Sequence, residues 1–337
     1  MGSPRILVVR RDNIGDLVCT TPLLSALRLR FPDAWLAVLA NSYNAPVLAG
    51  HPDLDAVYAY RKGKHVDAGL LARARERVGL VRELRTRGLD SVVLATTAYQ
   101  PRTLRLARLL GPEHIVGFVD EHPPRAIDHP VSLSGSEGEH EVERVLRLAR
   151  AFGIGGPPPP LRISVDDAEA ARVRAGLEGA RLTNAPIGLH LSARKPSQRW
   201  PAERFAALMR ELHARQGAGF MLFWSPGAAD HPQHPGDDGK ASEVIEATRN
   251  LPVLPWPTNE LASLVAGIAA CRMMIMSDGG AMHVAAALGK PIVCFFGRSD
   301  AVRWRPWGVP HALLQPASLD VADVSVDQAL AAIESLG

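Results

Sequence analysis

"MIMSDGGAMHVAAALGKPIVCFFG", residues 274–297, reads as strand, turn, helix and strand in one short stretch. The apolar run ends at Ser277-Asp278, two glycines follow, and a helical pattern runs to Gly289 before "PIVCFFG" (291–297) begins a second apolar strand. Two strands joined through a helix run parallel, because the helix carries the chain back to the same end of the sheet. Gly279 and Gly280 allow a ligand close to the backbone and leave the helix's first amides facing it, which suits a pyrophosphate. His283, in the first turn, can donate a hydrogen bond to phosphate or sugar. The same turn also fits an ordinary strand–helix junction, with Asp278 as N-cap and His283 exposed. It has neither the GxGxxG spacing of a dinucleotide fold nor the GK[ST] of a P-loop.

Working outward, the alternation continues through the chain. Before it come "PIGLHL" (186–191), "AERFAALMRELHARQG" (202–217), "GFMLFWS" (219–225), "KASEVIEAT" (240–248), "LPVLPW" (251–256) and "NELASLVAGIAAC" (259–271), alternately strand and helix. The first half follows the same rule. Strands are predicted at 5–10, 35–40, 56–60, 91–97 and 114–119, with helices at 21–30, 44–50, 70–88, 102–111 and 139–152. Gly88 and Gly111 stand where C′ glycines end helices. Between the halves, "GIGGPPPPLRI" (153–163) holds four successive prolines and is the natural linker. The reading is an α/β protein of two doubly wound parallel-sheet domains facing a cleft: 1–156, a linker at 157–162, and 163–337, with the last helix free to pack back on the first domain.

Composition agrees. A chain of 337 residues at roughly 100–200 residues per domain makes two. Thirty-eight Lys+Arg against 35 Asp+Glu leave +3, too small an excess to argue for nucleic acid. The basic residues are mostly arginines in local clusters, a pattern suited to phosphate groups or to solvated helix faces such as the Arg-rich helix at 70–88. Cys19, Cys271 and Cys294 lie far apart with no CxxC, against a disulfide framework or structural zinc and in favour of a reducing cytoplasm. The N-terminal apolar run is too short for a signal peptide, and no stretch reaches the ~18–20 apolar residues of a spanning helix. A cytoplasmic monomer is expected, able to associate peripherally with the inner face of a membrane.

In open α/β sheets ligands bind beyond the carboxyl ends of strands. Two further post-strand turns are candidates on that ground. "SARKPSQRWP" (192–201) offers Ser192, Arg194, Lys195, Ser197, Gln198 and Arg199, a hydroxyl-and-cation set that reads as a phosphate clamp or a solvated loop. "RRDNIGD" (10–16) puts the Asp16 carboxylate at the tip of the first strand. There it suits a general base, or else a first-turn acid worth roughly 0.5–2 kcal/mol to its helix. Arg10 and Arg11 beside it could keep Asp16 ionised or orient an acidic substrate. The loop 223–239 carries Asp230, His231, His234, Asp237 and Asp238, yet its Pro/Gly content speaks against a metal site. Trp304 and Trp307 read first as packing and second as sugar-stacking platforms.

The three turns together, in this order, resemble glycosyltransferase family 9, the ADP-heptose:lipopolysaccharide heptosyltransferases of GT-B fold. "RILVVRRDNIGDLVCTTPLLSALRLRFPDAWLAVL" is similar to the family's opening, "LHLSARKPSQRWPAERFAAL" to its KRWP loop, and "SDGGAMHVAAALGKPIVCFFG" to its D-[ST]-G-x-M-H segment. The resemblance implies two Rossmann-like domains, an acceptor-binding one and then a donor-binding one. It implies that Asp16 is the base and that Asp278, Gly279, Gly280 and His283 hold the nucleotide diphosphate. Ser192, with Arg194, Lys195 and Arg199, would lie near the phosphates, and Asp230 near the ribose. Asn13, Asn41, Tyr43 and Lys64 are the acceptor-side candidates. Two departures stand out: Gln198 replaces the Lys before RWP, and Gly279 replaces the Ser/Thr after the Asp.

The expected activity is transfer of a heptose, or a related sugar, from an ADP-activated donor to a glycan, lipid-linked or small-molecule acceptor, with inversion, no cofactor and no metal. Alternatives are a different nucleotide sugar or acceptor, a sugar-nucleotide epimerase, which would turn over donor without acceptor, and a degenerate member that only binds nucleotide.

Overall fold

The computed structural model of the chain describes residues 3–60, 70–119, 125–228 and 236–336. It divides into two compact units, Met1–Ser164 and Val165–Gly337. The division falls just past the expected linker, because the segment after the prolines is tied to the first unit. Arg162 N donates to Thr21 Oγ1 at 3.0 Å, and Ser164 Oγ donates to Gly50 O at 2.6 Å.

The first unit holds strands β1 (Arg5–Val9), β2 (Trp35–Asn41), β3 (Ala56–Tyr60), β4 (Ser91–Leu94), β5 (His114–Val119) and β6 (His129–Ser132). Between and after them run helices α1 (Ile14–Val18), α2 (Thr21–Arg30), α3 (Leu70–Thr86), α4 (Pro101–Leu110) and α5 (Glu141–Leu146). The second unit holds β7 (Ile187–His190), β8 (Phe220–Trp224), β9 (Val253–Pro257), β10 (Met273–Ser277), β11 (Ile292–Phe295) and β12 (His311–Leu314). Its helices are α6 (Asp167–Gly179), α7 (Ala202–Gln216), α8 (Asp238–Ala247), α9 (Leu261–Ala270), α10 (Gly280–Ala287), α11 (Ala301–Trp304) and α12 (Val326–Glu334).

All pairings are parallel, and the sheet orders are β3-β2-β1-β4-β5-β6 and β12-β11-β10-β7-β8-β9. Counted from its own first strand, each sheet therefore runs 3-2-1-4-5-6. The strand order reverses between β1 and β4 in the first unit and between β7 and β10 in the second. Crevices for ligands open at such reversals. The central strands are buried on both faces, which is why they read as unbroken apolar runs. Leu7 lies between Ala37 and Val92, and Ile275 between Leu189 and Val293.

The elements missing from the sequence reading are those without such a run. β6 (HPVS) and β12 (HALL) are edge strands and are exposed or half-buried. α6 has Val173 as its one buried residue. The predicted helices at 44–50 and 139–152 are 3₁₀ over Ala45–Leu48 and, beyond α5, over Arg147–Phe152. The last helix belongs to the second unit. Its apolar face, Ala329, Leu330, Ala332 and Ile333, joins the second unit's own core against α7 and β12.

Candidate functional site

At the first reversal, β1 ends in Arg10, whose side chain is 1% exposed. A buried guanidinium is stable only if its N–H groups find acceptors. Nη1 donates to Ala95 O, and Nη2 donates to Asp16 Oδ1 at 2.7 Å and to Glu141 Oε1 at 2.8 Å. Nε lies 3.1 Å from Asp12 Oδ2. Arg10 thus gathers the turn after β1, the turn after β4 and the start of α5. Thr97 Oγ1 donates to Glu141 Oε1 at 3.0 Å, and Thr96 Oγ1 to Asp12 Oδ2 at 3.1 Å.

Of the two roles the sequence left open, the structure displays the helix one. Asp16 is the first-turn acid of α1: Asn13, the N-cap, donates to Oδ2 through its backbone N at 3.0 Å and its Nδ2 at 2.9 Å. It is also a fixed carboxylate whose Oδ1 takes one hydrogen bond among the described residues, so a lone pair remains for a hydroxyl. Burial alone would raise its pKa. The Arg10 charge and the Asn13 hydrogen bonds outweigh that and hold the carboxyl below its ordinary range. Arg10 shows the mirror case: burial works against its charge, and Glu141, Asp16 and Asp12 more than restore it.

The two arginines of "RRDNIGD" part company. Arg11 points elsewhere, donating from Nη2 to Thr103 Oγ1 at 2.5 Å and lying 5.2 Å from the Tyr60 ring centroid. Asn41, expected on the acceptor side, is wholly buried. Its Nδ2 donates to Arg11 O and Asp12 O, both at 2.9 Å, and its Oδ1 accepts from Tyr43 N and Asn44 N. That is the scaffold of the turn and not a ligand surface, which corrects the expectation. Tyr43 is exposed on the same loop. Lys64 lies outside the described residues.

At the second reversal, Asp278 follows β10 and α10 starts at Gly280. The 3₁₀ turn Pro196–Gln198 lies against it. Gln198 Nε2 donates to Asp278 Oδ2 at 2.6 Å and to Ser299 Oγ at 2.9 Å, and Lys195 Nζ donates to the same Oγ at 3.2 Å. Ser277 Oγ donates to Gln198 O at 2.6 Å. Gly297 makes this approach possible, since a Cβ there would stand 2.3 Å from Ser197 O. Gly279, by contrast, is extended (φ 164°), and a Cβ would meet nothing within 4 Å. His283 is buried, not exposed as a plain turn would have it, and Trp304 covers it edge-on at 5.9 Å.

Ser192 Oγ accepts from Ser225 N at 2.8 Å, joining the turns after β7 and β8. Arg199 Nε donates to Ala193 O at 3.0 Å within its own loop, and Arg194 is exposed. Asp230, His231 and His234 lie outside the described residues. Asp237 stands at the N-cap position of α8 without a side-chain capping bond, while Asp238 accepts from Trp224 Nε1 at 2.7 Å and Gly227 N at 2.9 Å. Among the described residues no group of three or more His, Cys, Asp or Glu is placed to hold a metal ion.

Lys240 and His190 are among the residues that escaped the sequence reading. Lys240 Nζ donates to Leu191 O at 2.8 Å, one residue before Ser192, and burial pushes its ammonium down to about 8. His190, at the end of β7, is pushed down to about 4, chiefly by burial, and is neutral at pH 7. Only the spacing of α8 from β7 could have hinted at Lys240, and no motif carries it.

Known proteins share this plan. The family model "Glycosyltransferase family 9 (heptosyltransferase)" matches residues 77–317. Lipopolysaccharide heptosyltransferase 3 of Escherichia coli is 27% identical over 305 residues, 87% of this chain and 83% of that one. The crystal structure of a glycosyl transferase family 9 protein from Veillonella parvula DSM 2008 has a TM-score of 0.82 at 20% identity and covers 100% of this chain and 98% of its own. The E. coli heptosyltransferase WaaC with ADP has a TM-score of 0.77 at 17% identity, covering 99% and 100%. The fold they share with this chain is GT-B.

Proposed function

Given that the chain belongs to glycosyltransferase family 9, we propose that it moves a heptose, or a related sugar, from an ADP-activated donor to a hydroxyl of a lipopolysaccharide-type glycan, with inversion and with Asp16 as general base. The observation that carries this reading is the Arg10–Asp16 pair at 2.7 Å at the carboxyl end of β1. It leaves a carboxylate ionised, fixed in orientation and provided with one open lone pair.

In the proposed step the acceptor oxygen attacks the anomeric carbon while the bond from that carbon to the diphosphate oxygen breaks. The hydroxyl proton passes to Asp16 Oδ1, and the nucleoside diphosphate leaves with the electron pair. One displacement from the face opposite the leaving group inverts the centre. A low carboxyl pKa makes Asp16 a weak base, which is sufficient here. The hydroxyl becomes strongly acidic only as its oxygen bonds to carbon, and the base accepts the proton at that point. Charge building on the leaving diphosphate falls to Lys195, to the Ser299 hydroxyl, whose oxygen accepts from Gln198 and Lys195 and so keeps its own hydrogen to give, and to the first amides of α10.

The choice of ADP is supported by the WaaC structure, solved with that nucleotide. The choice of acceptor is supported by the lipopolysaccharide heptosyltransferase relatives. Among the described residues no helix is long and apolar enough to cross a membrane. Thermal-shift titration with ADP, UDP and GDP, followed by mass spectrometry of products from the best-matched donor, tests the reading. Stabilisation by ADP and a product heavier by one heptose are expected. A clear preference for UDP or GDP overturns the donor assignment.

A further inference from the structure

We propose that Glu141 is a positioning residue for Asp16, acting through Arg10. It takes the second hydrogen of the Nη2 that also holds Asp16 Oδ1, and so fixes the guanidinium against which the base is set. This rests on the assignment of Asp16 as the base and adds a residue that no motif singles out.

The geometry is specific. Arg10 and Glu141 lie 131 positions apart in the chain, yet Oε1 of Glu141 is 2.8 Å from Nη2, and its carboxyl group is 0% exposed. A carboxylate wholly removed from water is costly unless each of its oxygens is engaged. Thr97 Oγ1, from the turn after β4, approaches Oε1 at 3.0 Å and Oε2 at 3.3 Å. The helix start is fixed as well: His140 caps α5, accepting from Val142 N at 3.1 Å on Nδ1, while Glu143 Oε2 accepts from His140 N at 2.8 Å. Glu141 is therefore the first residue of a capped helix, where the amide dipoles favour a negative charge.

Two consequences follow. Nε makes no hydrogen bond among the described residues, so the rigid guanidinium is held at Nη1 by Ala95 O and at Nη2 by its two carboxylate partners. Without Glu141 the guanidinium can turn, and Asp16 turns with it. Glu141 also shares the positive field of Arg10. If its charge is removed, that field falls on Asp16 and Asp12 alone, and Asp16 becomes a poorer base. Both effects lower the chemical step and spare donor binding, whose residues lie after β7 and β10.

The test uses the full chain, with Glu141→Ala, Glu141→Gln and Asp16→Asn alone and combined. Glu141→Gln keeps an acceptor oxygen for Nη2 and removes only the charge, so it guards against loss of folding. We expect Glu141→Ala to lower kcat about 10- to 100-fold, the scale of a sub-ångström to ångström misplacement of a reacting group, with KM for the donor within about twofold. On the Asp16→Asn background it should lower the residual rate no further. In urea unfolding, Asp16→Asn and Glu141→Gln together should lower the midpoint by more than the sum of the single shifts, because Nη2 then loses both charged partners. A kcat within threefold of wild type in Glu141→Ala, an equal further loss on the Asp16→Asn background, or additive midpoints would each overturn the proposal. If the wild-type chain transfers no sugar at all, the proposed activity fails instead, and the unfolding cycle still decides whether Glu141 and Asp16 are coupled.

Discussion

The two units repeat one strand order, and their reversal points hold opposite chemistry. After β1 and β4 a single buried guanidinium is ringed by Asp12, Asp16 and Glu141. After β7 and β10 a neutral amide, Gln198, bridges Asp278 and Ser299, with Lys195 on the same hydroxyl and a helix N-terminus beside them. The first arrangement keeps a carboxylate charged and still, which suits the proton acceptor proposed above. The second is the one proposed above to meet an anion. Topology supplies the crevice in both cases, and a few side chains past the strand ends decide what the crevice can do.

The strongest way to break the comparison is Asp16→Asn. It should lower sugar transfer by about 10²–10⁴-fold, the usual worth of a general base, and leave ADP affinity unchanged. Equal loss of both would mean that the first reversal is not a separate proton-transfer site.

Acidification separates the two regions differently. His190 is held neutral down to about pH 4 in the folded chain, against an ordinary value near 6.5. As pH falls below 6.5 the unfolded chain binds that proton first. The stability is therefore present above 6.5 and lost between 6.5 and about 4, by at most roughly 3–4 kcal/mol at ~1.4 kcal/mol per pKa unit. The Asp16 contribution runs the same way in a lower window, since its folded pKa lies below 3.8. Urea midpoints measured from pH 7 to pH 4 should fall steeply in wild type and less in His190→Gln. Parallel curves would contradict this.

Smaller effects sharpen the second region. Gln198→Ala removes the amide from both Asp278 and Ser299 and should weaken ADP by about tenfold, on the scale of ~1–2 kcal/mol for a lost buried hydrogen bond. Isothermal titration reads this directly, and unchanged affinity would exclude Gln198 from the donor site. Smallest is Gly279→Ser. With extended backbone and open space around its Cβ, the substitution should shift stability by less than about 0.5 kcal/mol, and the added hydroxyl should hold or improve ADP affinity. A large loss would show that the space is occupied by ligand.

Much of this was legible in the chain itself. The strand–helix alternation marks both sheets, because central parallel strands must be apolar on both faces. Edge strands β6 and β12 carry no such signature, and neither does the mostly exposed α6. The places of Asp16 and Asp278, just past the ends of β1 and β10, were readable. Arg10 and Arg11 were both readable as residues that could keep Asp16 ionised; that Arg10 alone does so was not, because Glu141, which completes the cluster, arrives from α5. Similarly, Gln198 stood out as a departure, whereas its partner Ser299 comes from the turn after β11. Local pattern reports what an element is; it does not report which distant turn the fold sets beside it. Asn41 shows the converse error, since a polar residue at a strand end can serve the backbone turn next to it and nothing else.

The division of labour between the two reversals is tested most directly by hydrogen–deuterium exchange of the full chain with and without ADP. The account predicts that ADP slows exchange at the start of α10 and in residues 192–199, and leaves residues 10–18 unchanged. Protection at 10–18 without protection at 279–283 would contradict it.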